Sequence, residues 1–112
     1  MYEPSRHIAT FHIAGFQRYD GALALKHLKV GTKLKMVPEF DNPYDADAIA
    51  LYADGKKLGY IPRTENEMPA MLMRFGHKRV YECIVTAVSR KAEPWKQVTC
   101  ALRIKDARKH GK

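Results

Sequence analysis

Short segments in which apolar and polar residues alternate, separated by turn residues, constrain the fold of this chain more than any other feature of its sequence. Such segments are typical of strands with one buried face. The predicted strands are residues 9–14, 33–37, 48–52, 57–61, 80–89 and 97–104. The pair Asp54-Gly55 separates two of them and predicts a tight hairpin. Many short strands with few helices favour a small closed barrel or a partly open sandwich.

Two short helices are expected between the strands. The first is predicted over residues 22–29, where Gly31 can end it. The second is predicted to begin after Asn66, because this start places Pro69 in the first helical turn, and to end at Gly76. Its apolar residues recur at helical spacing and are expected to face the core. They are Met68, Met71, Leu72 and Phe75.

The charge of the chain is strongly positive and unevenly distributed. There are 20 Lys and Arg residues against 12 Asp and Glu residues, which gives a net charge of +8. This balance makes a polyanion the first partner to consider, either nucleic acid or an anionic membrane surface. The acids, however, concentrate at residues 39–47, where Glu39, Asp41, Asp45 and Asp47 occur with no Lys or Arg.

The length of 112 residues is typical of one domain. We predict an N-terminal extension at residues 1–6, the domain itself at residues 7–104 and a flexible basic tail at residues 105–112. The tail carries four cationic residues and no apolar periodicity.

Several classes of protein are excluded or disfavoured by absent patterns. No apolar run approaches the ~18–20 residues that span a bilayer, so we expect no membrane partner. The first residues lack the apolar stretch of a signal peptide, which favours the cytoplasm. Cys83 and Cys100 are too few for a disulfide framework or a four-cysteine zinc site, and we expect them to be buried thiols. The histidines show no paired spacing, so neither a metal nor another cofactor is expected.

A nuclease is the sharpest enzymatic hypothesis that the residues suggest. Pro43 and Asp45, followed by Asp54 and Lys56, imitate the carboxylate and lysine pattern of a class of metal-dependent nucleases. A hairpin turn explains Asp54 fully, however, and would place Lys56 at an exposed tip. We therefore expect no enzymatic activity.

Arginines and tyrosines recur together near the ends of predicted strands. They occur at residues 17–21, 42–45 and 59–63. Aromatic rings can stack on bases and arginines can contact phosphates, which together favour nucleic-acid binding. In the alternative interpretation Tyr44 and Tyr60 are half-buried packing residues and Asp45 caps a turn. These residues alone leave both interpretations open.

Three of the segments resemble a known family. Gly-Phe-Gln-Arg-Tyr at residues 15–19, Glu-Phe-Asp-Asn-Pro-Tyr-Asp-Ala-Asp-Ala-Ile-Ala-Leu at residues 39–51 and Gly-Tyr-Ile-Pro-Arg at residues 59–63 are similar to the HIRAN domain. The resemblance runs from about His7 to Ile104. Members of the family usually carry asparagine where this chain has Asp47. The resemblance implies a mainly β fold, a small OB-like β-barrel of about six strands with two short helices.

The resemblance also implies binding of single-stranded DNA. In the best understood relatives this binding is specific for a free 3′ end, and the domain is fused to a fork-remodelling ATPase of the helicase-like transcription factor type. We expect no motor in this chain, so any remodelling activity comes from a helicase or nuclease partner or is absent. Stand-alone copies of the domain are typical of bacteria, which is the setting we expect here.

The family motifs imply a set of DNA-binding residues. They are Arg18, Tyr19, Asn42, Tyr44, Asp45, Tyr60 and Arg63. Arg18 and Tyr19 are implied to hold the terminal nucleotide by phosphate contact and stacking, and Tyr44 to form the opposite wall of the pocket.

Asp45 is implied to accept a hydrogen bond from the 3′-hydroxyl, while Tyr60 and Arg63 line the path of the next phosphates. A carboxylate facing DNA is tolerable only where a hydroxyl arrives rather than a phosphate, because a phosphate would bring like charge against it. The same group would therefore attract the correct end and repel the wrong one.

Together these observations predict a monomeric, non-enzymatic module that binds single-stranded DNA at free 3′-hydroxyl ends, with a role in DNA repair or replication-fork processing through partners. Two alternatives stay open. One is a protein-interaction or assembly domain without DNA-end specificity. The other is an accessory subunit of a nucleic-acid hydrolase.

Overall fold

A single antiparallel sheet of six strands forms the body of the computed structural model, which describes residues 5–108. The strands are β1 (Ser5–His12), β2 (Lys33–Pro38), β3 (Ile49–Ala53), β4 (Lys56–Tyr60), β5 (Tyr81–Val88) and β6 (Val98–Lys105). The two α-helices are α1 (Gly21–Ala24) and α2 (Glu67–Arg74). Single 3₁₀ turns occur at Phe16–Arg18, Leu25–His27 and Pro94–Lys96. This architecture confirms the predicted mainly β fold with two short helices.

The strand order β1-β6-β5-β2-β3-β4 leaves β1 and β4 at the two edges of the sheet. These edges approach each other just beyond β1, where Ala14 forms an antiparallel bridge with Tyr60. Both backbone hydrogen bonds of the bridge, from each N–H to the opposite carbonyl oxygen, measure 2.9 Å. The sheet therefore curls into a loose barrel that one bridge holds together rather than a continuous ladder.

Gly59 makes this bridge sterically feasible. Its φ of 145° lies in a region that side chains other than glycine rarely adopt. A Cβ at this position would overlap the carbonyl oxygen of Ala14 and lie 2.7 Å from Cγ2 of Ile13. The glycine thus allows the backbone after β1 to lie directly against β4.

The predicted hairpin between β3 and β4 is confirmed. Asp54 and Gly55 both have positive φ, 50° and 76°, as a type I′ turn requires. Asp54 therefore lies exposed at the hairpin tip, and Lys56 pairs with Ala53 at the start of β4. Within residues 5–108, no group of three or more His, Cys, Asp or Glu residues is placed to hold a metal ion.

Both cysteines lie in the core of the barrel. Cys83 on β5 and Cys100 on β6 are fully buried and free of disulfide bonds, as predicted. A hydrogen bond with Cys83 and burial in the core raise the pKa of the Cys100 thiol far above its ordinary value. The two thiols therefore pack as small, unreactive apolar groups.

The first predicted helix, over residues 22–29, is too long. The α-helical part ends at Ala24 and is followed by a 3₁₀ turn, in which the N–H of Leu28 donates to the carbonyl of Leu25 at 3.2 Å. Leu28 itself is extended and buried, so its side chain reaches the core only if the helix ends before it. Tertiary burial thus shortens the helix.

The second helix has the predicted start and Pro69 in its first turn. Of the four residues predicted to face the core, only Leu72 packs against it, and the prediction is wrong for the other three. Met68, Met71 and Phe75 are 56%, 47% and 73% exposed. Asn66, Ala70 and Met73 face inward instead, at positions i, i+4 and i+7. Asn66 is buried because its side chain donates a hydrogen bond to Asp45, and this contact fixes the rotation of α2. The inward face therefore begins at a polar residue that hydrophobic periodicity does not detect.

The sheet extends beyond the predicted domain boundaries at both ends. Ser5 and Arg6 belong to β1, and Lys105 is the last residue of β6 and pairs with Ser5. Residues 1–4 and 109–112, which fall in the predicted extension and tail, lie outside the described residues. Among residues 5–108, no helix is both long enough and apolar enough to cross a membrane.

Candidate nucleic-acid interface

A pocket of about 380 Å³ lies beside the bridge that joins the two sheet edges. Its walls come from the turn after β1, the loop between β2 and β3, and the segment that follows β4. All seven residues that the family resemblance singles out line this pocket. They are Arg18, Tyr19, Asn42, Tyr44, Asp45, Tyr60 and Arg63. Three segments that are distant in sequence therefore meet at one site.

The turn after β1 presents Arg18 and Tyr19 to the pocket. Gly15 begins this turn with a left-handed backbone (φ 72°), and its carbonyl accepts a hydrogen bond of 2.9 Å from the N–H of Arg18. The Arg18 side chain is exposed, and no ion pair or hydrogen bond from the described part of the chain engages its guanidinium. This cation is therefore available to an anionic ligand.

Tyr19 packs against Tyr60 at one side of the pocket. The ring centroids are 5.7 Å apart and the planes form an angle of 69°, an edge-to-face contact. The ammonium of Lys57 lies 4.6 Å from the Tyr19 ring centroid and 4.5 Å from that of Tyr60. This cation fixes both rings, and it leaves Tyr19 40% exposed toward solvent.

Glu39 connects this aromatic pair to the acidic loop. Its carboxylate accepts hydrogen bonds from the hydroxyl of Tyr60 at 2.7 Å and from Nζ of Lys57 at 3.0 Å. Lys57 also donates to the hydroxyl oxygen of Tyr60 at 2.6 Å. Glu39, Lys57 and Tyr60 therefore form a closed triangle of polar contacts in the wall of the pocket.

The pKa values of this triangle reflect its geometry. Burial opposes ionisation of Glu39, but hydrogen bonds from Tyr60, Lys57 and Asn42 outweigh it and hold the pKa of Glu39 below its ordinary value. Burial also opposes the charge of Lys57, yet its contacts with Tyr60 and Glu39 raise the pKa of this ammonium. Burial and the hydrogen bond to Glu39 raise the pKa of Tyr60 to about 12. The acid and the base are therefore a stable ion pair at neutral pH, and their charges largely cancel.

Asn42 organises the loop between β2 and β3. Its side-chain oxygen accepts hydrogen bonds from the N–H groups of Tyr44 (2.8 Å) and Asp45 (3.2 Å), and its amide donates to Glu39 at 3.2 Å. This arrangement is an Asx-type turn. Asn42 lines the pocket, but its side chain is used to hold the loop.

Asp45 has a fixed orientation at the edge of the pocket. Oδ1 accepts a hydrogen bond from the N–H of Asp47 at 2.9 Å, and Oδ2 accepts one from Nδ2 of Asn66 at 2.9 Å. Nε of Arg63 lies 3.6 Å from Oδ2. The side chain remains 21% exposed, and Oδ1, which has a single partner, keeps a lone pair for a further donor.

Tyr44 projects from the loop and is 84% exposed. Its backbone is anchored, because a terminal nitrogen of Arg63 donates to its carbonyl oxygen at 2.6 Å. The interpretation of Tyr44 as a half-buried packing residue is therefore wrong, whereas Tyr60 is half-buried and does pack. An exposed ring on an anchored backbone suits stacking against a flat ligand.

Lys57 and Asn66 support the site, although no motif in the sequence marks either of them as part of it. Lys57 was predicted only as a strand residue, and its contact with Glu39 spans 18 positions. Asn66 was predicted as a helix cap, yet its side chain makes no capping bond and reaches Asp45 across 21 positions. No local spacing signals either contact.

Aromatic rings, exposed arginines and one partly exposed, oriented carboxylate thus meet in a pocket of a small β-barrel, which is the composition of a binding site rather than of a catalytic one. A sequence model of the HIRAN domain matches residues 8–105, so the chain belongs to the HIRAN domain family. The HIRAN domain is a DNA-binding module rather than a catalytic domain, and membership supports nucleic-acid binding.

Two solved structures are similar to this chain. A protein from Lactobacillus plantarum is 28% identical, and the alignment covers 89% of this chain and 94% of that protein with a TM-score of 0.72. The HIRAN domain of human HLTF is 18% identical, with 92% of this chain and 82% of that domain covered and a TM-score of 0.64. The second likeness concerns the fold alone. No curated protein sequence matches the chain.

Proposed function

We propose that this protein binds the free 3′-hydroxyl end of single-stranded DNA in the pocket beside the Ala14–Tyr60 bridge. The observation that carries the proposal is the orientation of Asp45 in a pocket otherwise lined by arginines and aromatic rings. In such a pocket the cations attract phosphates. Asp45, which is ion-paired only loosely with Arg63 at 3.6 Å and stays partly exposed, decides which end of the strand can enter.

Asp45 discriminates between ends through its charge. Its two oxygens are held by Asp47 and Asn66, so the carboxylate cannot turn away from an arriving ligand. A 3′-hydroxyl donates a hydrogen bond to it, and a bond to a charged acceptor contributes about 1.5–3 kcal/mol. A 3′-phosphate or a continuing strand instead brings negative charge against it.

Stacking and phosphate contact supply the remaining affinity. The exposed ring of Tyr44 and the partly exposed ring of Tyr19 both line the pocket. In this proposal the terminal base stacks between them. Arg18 and Arg63, both exposed, reach the phosphates that follow. Asn42 acts in this proposal mainly as the residue that holds the loop bearing Tyr44 and Asp45.

Fluorescence anisotropy with short oligonucleotides tests the proposal. Otherwise identical strands, labelled at the 5′ end and carrying a 3′-hydroxyl or a 3′-phosphate, are titrated over a salt series. We expect the hydroxyl end to bind about tenfold more tightly or better, because one charge-assisted hydrogen bond is lost and a repulsion is gained with the phosphate. Equal affinity for the two ends would contradict end recognition.

Two variants separate stacking from charge. Tyr44→Ala should weaken binding by the ~1–3 kcal/mol of one base stack. Its unfolding free energy should change by less than about 0.5 kcal/mol, because the ring is exposed. Arg18→Ala should weaken binding and make the slope of log Kd against log salt shallower by roughly 0.7 if it contacts one phosphate. Unchanged affinity in both variants would place the ligand elsewhere.

We further propose that the domain contributes to DNA repair or replication-fork processing by delivering a partner to a strand end. Because the HIRAN domain is a binding domain, processing of the bound end would depend on a helicase or a nuclease. The pocket would then set where the partner acts.

A further inference from the structure

A second concave surface lies at the C-terminal end of α2, outside the pocket described above. This groove of about 510 Å³ is formed by the segment that follows α2 and the end of β6. Its cationic side chains are Lys78, Arg79 and Lys105, with His77 beside them. We call it the basic groove.

The end of α2 gives the basic groove a fixed backbone. The N–H of His77 donates to the carbonyl of Leu72 at 2.8 Å, and the N–H of Gly76 donates to that of Met73 at 3.0 Å. With Gly76 at a φ of 91°, this pair of bonds is a Schellman motif. The residues that follow therefore leave the helix in a defined direction and toward β6, where the N–H of Lys105 bonds the carbonyl of Val80 at 2.9 Å.

The cations of the basic groove are not neutralised by the described chain. Lys78 and Arg79 are exposed, and within residues 5–108 no ion pair engages their side chains or that of Lys105. The acid nearest in sequence, Asp106, is bound to Arg108 at 2.9 Å. The groove therefore presents uncompensated positive charge, which is complementary to a polyanion.

An exposed aromatic ring adjoins the basic groove. Phe75 directly precedes Gly76 and is 73% exposed. It ends a row of exposed apolar side chains on α2 that also contains Met68 and Met71, at i, i+3 and i+7. A large exposed ring one residue before the groove, together with the unpaired cations that line it, is the combination with which proteins bind single-stranded nucleic acid, through base stacking and phosphate contact.

We propose that the basic groove and Phe75 form a second nucleic-acid contact, which holds the same single strand several nucleotides on the 5′ side of the end bound in the pocket. This proposal rests on the proposed function for the identity of the ligand. Phe75 stacks on a base, and Lys78, Arg79 and Lys105 contact the phosphates. The strand crosses the exposed face of α2 between the two sites.

The length of α2 determines how long a DNA strand must be to contact the pocket and the basic groove at the same time. Asn66, at one end, contacts Asp45 in the pocket, and Gly76, at the other end, lines the basic groove. At ~1.5 Å per residue these ends are about 15 Å apart. A stacked strand advances ~3.4 Å per nucleotide, so about four nucleotides bridge the distance. A strand of about four nucleotides with its end in the pocket advances three steps, about 10 Å, and stops short of the basic groove, whereas a strand of about fifteen reaches both sites.

Oligonucleotide length is therefore the decisive variable. Anisotropy is measured with 5′-labelled strands of about four and about fifteen nucleotides, each with a 3′-hydroxyl, for wild type, Phe75→Ala and Lys78→Ala/Arg79→Ala. We expect wild type to bind the long strand about tenfold more tightly than the short one. Phe75→Ala should weaken binding of the long strand about fivefold or more. For the double variant binding the long strand, the slope of log Kd against log salt should be shallower by roughly 1.4. Neither change should alter binding of the short strand.

Lys26→Ala/Lys29→Ala is the matched control, because it removes the same charge from exposed positions that line neither site. If the groove variants weaken the long strand no more than this control does, the proposal is overturned. The proposal is also overturned if the groove variants bind the long strand normally but lose binding to vesicles containing phosphatidylserine. That result would make the basic groove a membrane contact. If the short strand binds equally well with a 3′-hydroxyl and with a 3′-phosphate, only the proposed end recognition is refuted. The effect of strand length on affinity is measured separately and still tests the second contact.

Discussion

Replacing Glu39 with glutamine tests whether the polar triangle in the pocket wall stabilises the site. Glutamine keeps the size of the side chain and can still accept a hydrogen bond, but it removes the charge that pairs with Lys57. In the folded protein Glu39 accepts hydrogen bonds from Tyr60, Lys57 and Asn42 at 2.7, 3.0 and 3.2 Å. The substitution therefore leaves a half-buried ammonium without its counter-ion.

The magnitude follows from the exposure of the pair. Hydrogen bonds to a charged group contribute about 1.5–3 kcal/mol when buried, and breaking a fully buried ion pair costs about 3–5 kcal/mol. The side chains of Lys57 and Glu39 are 22% and 24% exposed, so water can solvate part of the released charge. We expect Glu39→Gln to lower the free energy of unfolding by roughly 1–2 kcal/mol at pH 7.

Urea denaturation over a range of pH measures this effect and its sign. The pKa of Glu39 is lower in the folded protein than its ordinary value of 4.5, so the folded state favours the ionised form. The stability that Glu39 contributes is therefore complete above about pH 5 and is lost as the pH falls through the folded pKa. The difference between wild type and Glu39→Gln should shrink accordingly in acid.

Tyr60→Phe completes a double-mutant cycle with Glu39→Gln. Because the Tyr60 hydroxyl donates directly to Glu39, the two changes should couple by about 0.5–2 kcal/mol. Glu39→Gln with wild-type stability at pH 7, or a stability difference that grows in acid, would refute the reasoning.

Further predictions concern the barrel, the helix and the core. Gly59→Ala should destabilise the protein by roughly 2–4 kcal/mol in urea denaturation, because its Cβ overlaps the carbonyl oxygen of Ala14; wild-type stability would contradict this packing. Met73→Ala should cost about 2–5 kcal/mol, whereas Met71→Ser should change stability by less than about 0.5 kcal/mol. A larger loss for Met71→Ser than for Met73→Ala would mean that α2 has the opposite rotation, and similar losses would contradict the burial assigned to Met73. Cys100 should react with a thiol reagent only as the protein unfolds, because burial and hydrogen bonding raise its pKa; rapid labelling of the native protein would refute this.

Local signals in the sequence predict all six strands and the hairpin, although β1 begins four residues and ends two residues earlier than the predicted segment 9–14. Asp54 and Gly55 adopt the positive φ angles that this pair favours, and the flanking strands follow. The alternating segments 9–14 and 33–37 bury apolar residues of their pattern, Phe11 and Leu34 among them. These features depend on the backbone preferences of neighbouring residues, which a sequence displays directly.

Features that depend on distant contacts were not predictable in the same way. The rotation of α2 follows from a hydrogen bond between Asn66 and Asp45, 21 positions apart. The apolar pattern of the helix favoured the opposite face, which carries Met68 and Phe75. A single buried polar contact thus overrode hydrophobic periodicity and left an apolar face exposed.

The candidate site was predictable as a set of residues but not as a structure. The resemblance to the HIRAN domain singled out residues in three segments, and all of them line one pocket. Their supporting contacts were not foreseen, because Lys57 and Asn66 act through tertiary geometry rather than through a motif. The contacts that orient Tyr60 and Asp45 can therefore be identified only from the three-dimensional structure.

Discrimination between 3′-hydroxyl and 3′-phosphate ends, compared between wild type and Asp45→Asn, tests the central claim most directly. Asp41→Asn is the matched control, since it removes an exposed charge from the same loop without lining the pocket. We expect the preference for the hydroxyl end to fall toward unity in Asp45→Asn, with affinity for the phosphate end held or raised, and to persist in Asp41→Asn. A preference that survives in Asp45→Asn at its wild-type value would contradict the role assigned to Asp45.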